Sequence, residues 1–210
     1  MSDTNAQALY DFANKGTLLG MLLHSYRKLL MNTDDMLPAK VISYDRSTNT
    51  AVVQPQIKMV TTNNLLVSRA APASVPVFAL GGGGFFINFP LIPGNTGWIK
   101  ASDRDISLYL QSGNEAAPNT GRLHSFEDGL FLPDVMDAIN ISGGDANNMV
   151  IGSTNGAVKI SLSTSVLNLA ATNIELVSET LTHNGVNIGS THGHQYIPGS
   201  GAPTETGPPE

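Results

Sequence analysis

The chain has 210 residues, 11 Lys and Arg against 17 Asp and Glu, a net charge of −6 and no cysteine. That length suits one large domain or two small ones. The lack of a basic stripe argues against nucleic acid as a partner, and the lack of thiols excludes a disulfide framework and a thiolate metal site.

Residues 1–35 carry Asp3 and no early Lys or Arg, so no secretory leader is expected. The densest apolar run, Leu18 to Leu23, is too short to span a bilayer. Thr4-Asn5-Ala6-Gln7 fits a capping box. Leu9, Phe12, Gly16, Leu19, Leu23, Tyr26 and Leu30 follow at steps of three and four, which predicts a helix over 4–31. Its apolar stripe faces either a core within the chain, or copies of itself or another subunit. Asn32 to Asp35 ends it.

Residues 36–125 read as a β-domain. Lys40 to Asp45, a polar turn at Arg46 to Asn49, and Thr50 to Ile57 give a hairpin signal. Further strands are expected at Val75 to Leu80, Phe85 to Phe89, Gly97 to Ala101 and Asp105 to Leu110. Short strands with Gly-rich links suit a small closed or sandwiched sheet, of which the OB barrel is one form. The run Gly81 to Gly84 leads into Phe85-Phe86-Ile87, so it reads as a hairpin loop and not as a phosphate cradle. Residues 126–148 read as a junction, with Leu130 to Pro133 packed at a domain edge and a turn at Gly143-Gly144-Asp145.

From residue 149 to 190 the pattern is regular. Ile160, Leu167, Ile174 and Leu181 recur every seven residues, and Leu162, Leu169 and Leu176 lie two further on. A coiled coil would space its apolar pair by three and four. Pairs at i and i+2 instead predict short strands with tight turns. Such strands cannot bury their apolar faces unaided. Other copies of the chain, wound about a common axis, are the simplest cover.

Residues 191–210 hold His192 and His194, which share one side of an extended strand. Two imidazoles are half of a metal site, to be completed by this chain or by its copies. The other histidines, His24, His124 and His183, offer no specific third ligand. Paired carboxylates and a nucleophile triad are also lacking, so no enzyme is expected. By composition alone the Gly/Pro-rich end, Gln195 to Glu210, reads as a disordered tail.

Three stretches together carry a resemblance: Asn184-Gly185-Val186-Asn187-Ile188-Gly189-Ser190-Thr191-His192-Gly193-His194 with Thr206-Gly207-Pro208; Gly94 to Lys100 with Ser102 to Asp105; and His124 to Gly129. They resemble the central spike of contractile-tail phage baseplates, the group of baseplate assembly protein V and related membrane-piercing spikes. The resemblance covers roughly residues 36–210. It implies a mainly β fold, in which an N-terminal helix and an OB-fold barrel precede an intertwined trimeric β-helix with a metal-capped tip. It implies a homotrimer at the tip of the virion tail baseplate, attached to hub and tail tube proteins and touching the host outer membrane transiently. It also implies one iron ion per trimer, held by His192 and His194 of each of three chains. Six imidazoles suit an octahedral ion such as iron better than zinc, which prefers four ligands. The function so implied is passive piercing of the host envelope on sheath contraction. The spike of a related contractile injection system, or a trimeric tail-fibre or adhesin module, is the alternative.

Overall fold

The structure, a computed structural model, describes residues 16–189 except 32, 62–64, 73, 138, 140 and 142, together with the backbone of Gln195–Tyr196 and Thr204–Glu205. It divides into two units, Met1–Ile139 and Asn140–Glu210. The architecture is mainly β with few helices. No helix among the described residues is long and apolar enough to cross a membrane.

Among the described residues the first element of this unit is helix α1, Leu18–Met31. Gly16 has φ +95°, a left-handed value no α-helix interior holds. Thr17 then accepts a hydrogen bond from the Gly20 amide at 3.0 Å through Oγ1, as an N-cap does. The expectation of one helix running through Gly16 is therefore corrected: the described helix begins after it. The capping box at Thr4 to Gln7 lies outside the described residues. No residue of α1 is buried.

Strand β1 (Met36–Asp45) pairs antiparallel with β2 (Thr50–Pro55) across the expected hairpin, with Val41 opposite Val53 and Tyr44 opposite Ala51. Two short hairpin strands follow, β3 (Met59–Val60) and β4 (Leu66–Val67). Then come β5 (Val75–Pro76), β6 (Leu80–Gly82), β7 (Phe85–Ile87) and β8 (Thr96–Ser102). Helix α2 spans Ser107–Ser112 and β9 spans Ser125–Pro133. The main sheet has the order β5-β2-β1-β8-β9. A parallel bridge between Val77 and Phe131, with the Phe78 amide donating to the Phe131 carbonyl at 2.7 Å, brings the two edges together. The result is a nearly closed, barrel-like sheet, which leaves little edge for stray pairing.

The inside of that sheet follows from period-two alternation. Ala39, Val41, Ala51, Val53, Val75, Val77, Ile99, Ala101, Phe126 and Phe131 form one buried cluster. Phe131 is its largest fully buried side chain. Gly97 makes room for it: a Cβ there would lie 2.5 Å from Phe131 Cζ and 2.4 Å from the Leu132 carbonyl oxygen. Asn49, at φ +52°, ties the β1–β2 turn to the closing seam. Its Nδ2 donates to the Val77 carbonyl at 2.7 Å, and its Oδ1 accepts from Tyr44 Oη at 3.0 Å and Asn88 Nδ2 at 3.0 Å.

Two stretches depart from the sequence reading. Asp105 to Leu110 is not a strand. Asp105 is buried and accepts the Ser107 amide at 2.9 Å, which turns the chain into α2; Gly113, at φ +67°, ends it. Leu108 and Leu110 lie in this one short surface helix, with Ile106 at its N-cap. The segment expected as a junction from residue 126 instead carries β9, whose Phe126 and Phe131 belong to the core.

The excursion between β8 and β9 is pinned by Arg122. Its guanidinium donates to both oxygens of the buried Asp128, at 3.0 and 3.1 Å, to Glu127 at 3.0 Å and to Asp105 at 3.3 Å. The hydrogen bonds that Arg122 donates to Asp128, with the three carboxylate charges, raise the Arg122 pKa. The Asp105 carboxyl sits well below the usual carboxylate range, chiefly because Thr120 donates to it at 2.7 Å.

The second unit holds a three-stranded antiparallel sheet, β10 (Met149–Gly152), β11 (Lys159–Leu162) and β12 (Leu167–Ala170). A hairpin of β13 (Thr182–His183) and β14 (Val186–Asn187) turns through Asn184-Gly185, both at positive φ. The last pair is β15 (Gln195–Tyr196) and β16 (Thr204–Glu205).

Candidate functional site

The apolar pairs at i and i+2 fall on strands β11 and β12, where the sequence predicts short strands. Register then aligns them across the sheet. Met149, Leu162 and Leu167 form one cross-strand row; Ile151, Ile160 and Leu169 form the next. By strand alternation all six share one face. That face is open: exposure runs from 38 % at Ile160 and Leu162 to 63 % at Met149.

The opposite face is covered only at its centre. Ser161, at the sheet centre, is fully buried. Its Oγ donates to Asp145 Oδ1 at 2.5 Å and accepts from Asn148 Nδ2 at 3.0 Å. Asp145 comes from a 3₁₀ turn, Gly143–Asp145, and also pairs with Lys159. The Lys159 hydrogen bond is the largest cause of an Asp145 pKa lowered to about 2. A sheet in water ordinarily buries its apolar side and wets its polar one. Here the chain's own loop covers the centre of the other side, at Ser161, while Asn168 and Ala170 on that side stay exposed, and a six-residue apolar face is left bare.

The third apolar pair, Ile174 and Leu176, is exposed and lies on no strand of this chain. Further on, the Ile188 amide donates to the Leu181 carbonyl at 2.7 Å, extending the β13–β14 hairpin, and the Gly189 amide donates to Asn187 Oδ1 at 2.9 Å. His192 and His194, the predicted metal ligands, lie outside the described residues. Just beyond them the backbone doubles back, with Gln195 opposite Glu205 and Tyr196 opposite Thr204. Among the described residues, no group of three or more His, Asp or Glu is gathered as a metal site. His183 pairs with Val186 beside the hairpin turn. His124, at φ +47°, accepts the Asp34 amide at 3.1 Å through its carbonyl.

Sequence reasoning did not find the Asp145–Ser161–Lys159 lock. Its one signal was a Ser between the apolar Ile160 and Leu162, which reads equally well as an outward hydroxyl.

Residues 37–134 match the family model described as the phage protein Gp138 N-terminal domain. The matched stretch begins within β1 and ends one residue past β9, so it coincides with the barrel-like sheet. The match supports a phage protein, associated with the virion. No curated protein matches the chain significantly.

Proposed function

We propose that three copies of this chain form the central spike of a contractile phage tail baseplate, a passive element driven through the host envelope. The single observation that carries this reading is the bare apolar side of this sheet, all six of its large side chains exposed while Ser161 at the centre of the other side is buried under the chain's own loop. Six large apolar side chains per copy, facing a common axis with those of two further copies, would leave water together. The unpaired Ile174 and Leu176 are accounted for if their strand partners are on neighbouring chains, as in an intertwined β-helix. An axis lined this way is dry, and cross-chain pairing resists bending.

Two further observations support the baseplate reading. Residues 37–134 are similar to a phage protein domain. The nearly closed, barrel-like five-stranded sheet suits the OB barrel that the resemblance implies before the shaft. In this reading the barrel attaches the trimer to hub and tube proteins.

His192 and His194 are the residues that would hold an ion. The donor set fits iron: two imidazoles per chain give six in a trimer, and the chain has no thiolate to favour zinc. The ion would tie three chain ends together, and no chemistry is assigned to it. The chain's own part is to present both imidazoles on one side of a strand, with Gly193 between them allowing close approach to the axis.

The test is solution mass together with metal content. A trimer with about one metal per three chains is expected, and the double variant His192→Ala, His194→Ala should be metal-free. A folded monomer would overturn the reading; full metal retention in the double variant would overturn the site alone.

A further inference from the structure

A second apolar face lies in the first unit. In α1 the residues Leu19, Leu22, Tyr26 and Leu29 follow at steps of three, four and three, the spacing of a and d positions. Leu18, Leu23 and Leu30 flank them at g and e positions, widening the stripe. Arg27 and Lys28 fall at b and c, and His24 at f, away from it. Every one of the seven stripe residues is exposed, from 42 % at Leu23 to 71 % at Leu18. A 14-residue helix is marginal in water on its own, so its folding needs that stripe covered.

The helix is not loosely hung. The Thr33 hydroxyl donates to the Leu29 carbonyl at 2.9 Å. Asp34 pairs with Arg69, which lies over the Phe126 ring at 5.7 Å. Lys100 Nζ donates to Asp35 at 3.0 Å, and the Asp35 carbonyl accepts the Ala101 amide at 2.7 Å. The exit of α1 is thus fastened to the barrel-like sheet, and rotational symmetry between copies would bring their helices out parallel and in register.

The geometry points to two further copies of this chain as the cover: α1 is one strand of a parallel three-helix coil. The charge pattern selects copies over a foreign partner. Positions e and g carry Leu18, Leu23, Ser25 and Leu30, so identical helices meet with no like charges between them. The basic pair, Arg27 and Lys28, stays in water. Two heptads are short for a free coil, but three chains already joined elsewhere hold their helices at high effective concentration. This inference rests on the three-copy reading, and adds that the N-terminal helices seal to one another.

The natural absence of cysteine allows a direct test on the full chain. Leu22→Cys puts one thiol per copy on the proposed seam; Lys28→Cys puts it outside. Under mild oxidant Leu22→Cys should yield covalent chain pairs, to a ceiling of about two thirds of the chains since one thiol in three is left over. Lys28→Cys should stay uncrosslinked. Leu29→Cys repeats the test one turn-pair along. Trimers in which neither seam variant crosslinks, whether the stripe then meets a foreign protein or none, would sink this inference and leave the spike reading standing. Equal crosslinking at Leu22→Cys and Lys28→Cys would also sink it. A monomeric chain would remove both.

Discussion

Ser161 Oγ donates to Asp145 Oδ1 at 2.5 Å, and that bond decides which side of the C-terminal sheet is left for another molecule. With the loop at Gly143–Asp145 latched onto Ser161 on one side, the rows through Ile160 and Leu162 on the other stay exposed. The latch is acid-sensitive. The Asp145 pKa is lowered from 3.8 to about 2, first through the Lys159 hydrogen bond and then through Ser161. A depressed carboxyl stabilises the fold fully above its unfolded pKa and loses that contribution as pH falls through the folded one. Amide protection across residues 149–170, taken relative to the intrinsic exchange rate at each pH, should therefore fall between about pH 4 and pH 2. Asp145→Asn should exchange faster already at neutral pH and flatten that step.

The bare face can be charged without touching the single-chain fold. Leu167 is 61 % exposed, so Leu167→Lys in an isolated chain should change stability by no more than about 0.5 kcal/mol. If the face lines a three-copy axis, the same change buries three ammonium groups together, at several kcal/mol per ion. Light scattering should then find trimers for the parent chain and single chains for the variant, with the barrel's thermal transition unmoved.

The pairs Ile160/Leu162 and Leu167/Leu169 were legible because period-two alternation is a local signal. So was the β1–β2 hairpin, where the β-branched runs Val41-Ile42 and Val52-Val53 flank a polar turn. β9 was not legible. Its centre, Glu127-Asp128-Gly129, breaks the apolar run, and Asp128 is tolerated inside only because Arg122 meets it from outside the strand. The Asp145 latch was hidden for the same reason, its partners Lys159 and Ser161 lying 14 and 16 residues on. α2 was misread because alternating Ile106, Leu108 and Leu110 carry no tertiary information, whereas the buried Asp105 that starts the helix does.

The seam of the barrel-like sheet makes a separate prediction. Asn49 holds it twice, its side-chain amide on the Val77 carbonyl and its own carbonyl accepting the Val77 amide at 2.9 Å. Asn49→Gly keeps the left-handed backbone but loses the side-chain bonds, which should cost about 1–3 kcal/mol. Asn49→Ala loses the same bonds and adds left-handed strain of roughly 1–2 kcal/mol. The order of stability should be parent, Gly, Ala, read from the fluorescence of the single Trp98 in denaturant. Equal destabilisation by the two variants would mean the backbone relaxes away from φ +52° at no cost.

Phe131 and Gly97 test how tightly the two sides of that sheet are matched. Phe131→Ala empties the centre of the core and should cost about 3–5 kcal/mol, a large part of the roughly 5–15 kcal/mol a domain has. Gly97→Ala adds a single methyl, but its Cβ would sit 2.5 Å from Phe131 Cζ and 2.4 Å from the backbone oxygen of Leu132. The ring could turn aside; the Leu132 carbonyl, held in the β8–β9 pairing, could not. Gly97→Ala should therefore destabilise by a similar amount despite being the smallest possible change. Combining it with Phe131→Leu should recover only part of the loss, because relief at the ring leaves the clash with the strand backbone in force. Full recovery in the double variant would identify the ring, and not the Leu132 carbonyl, as the obstacle.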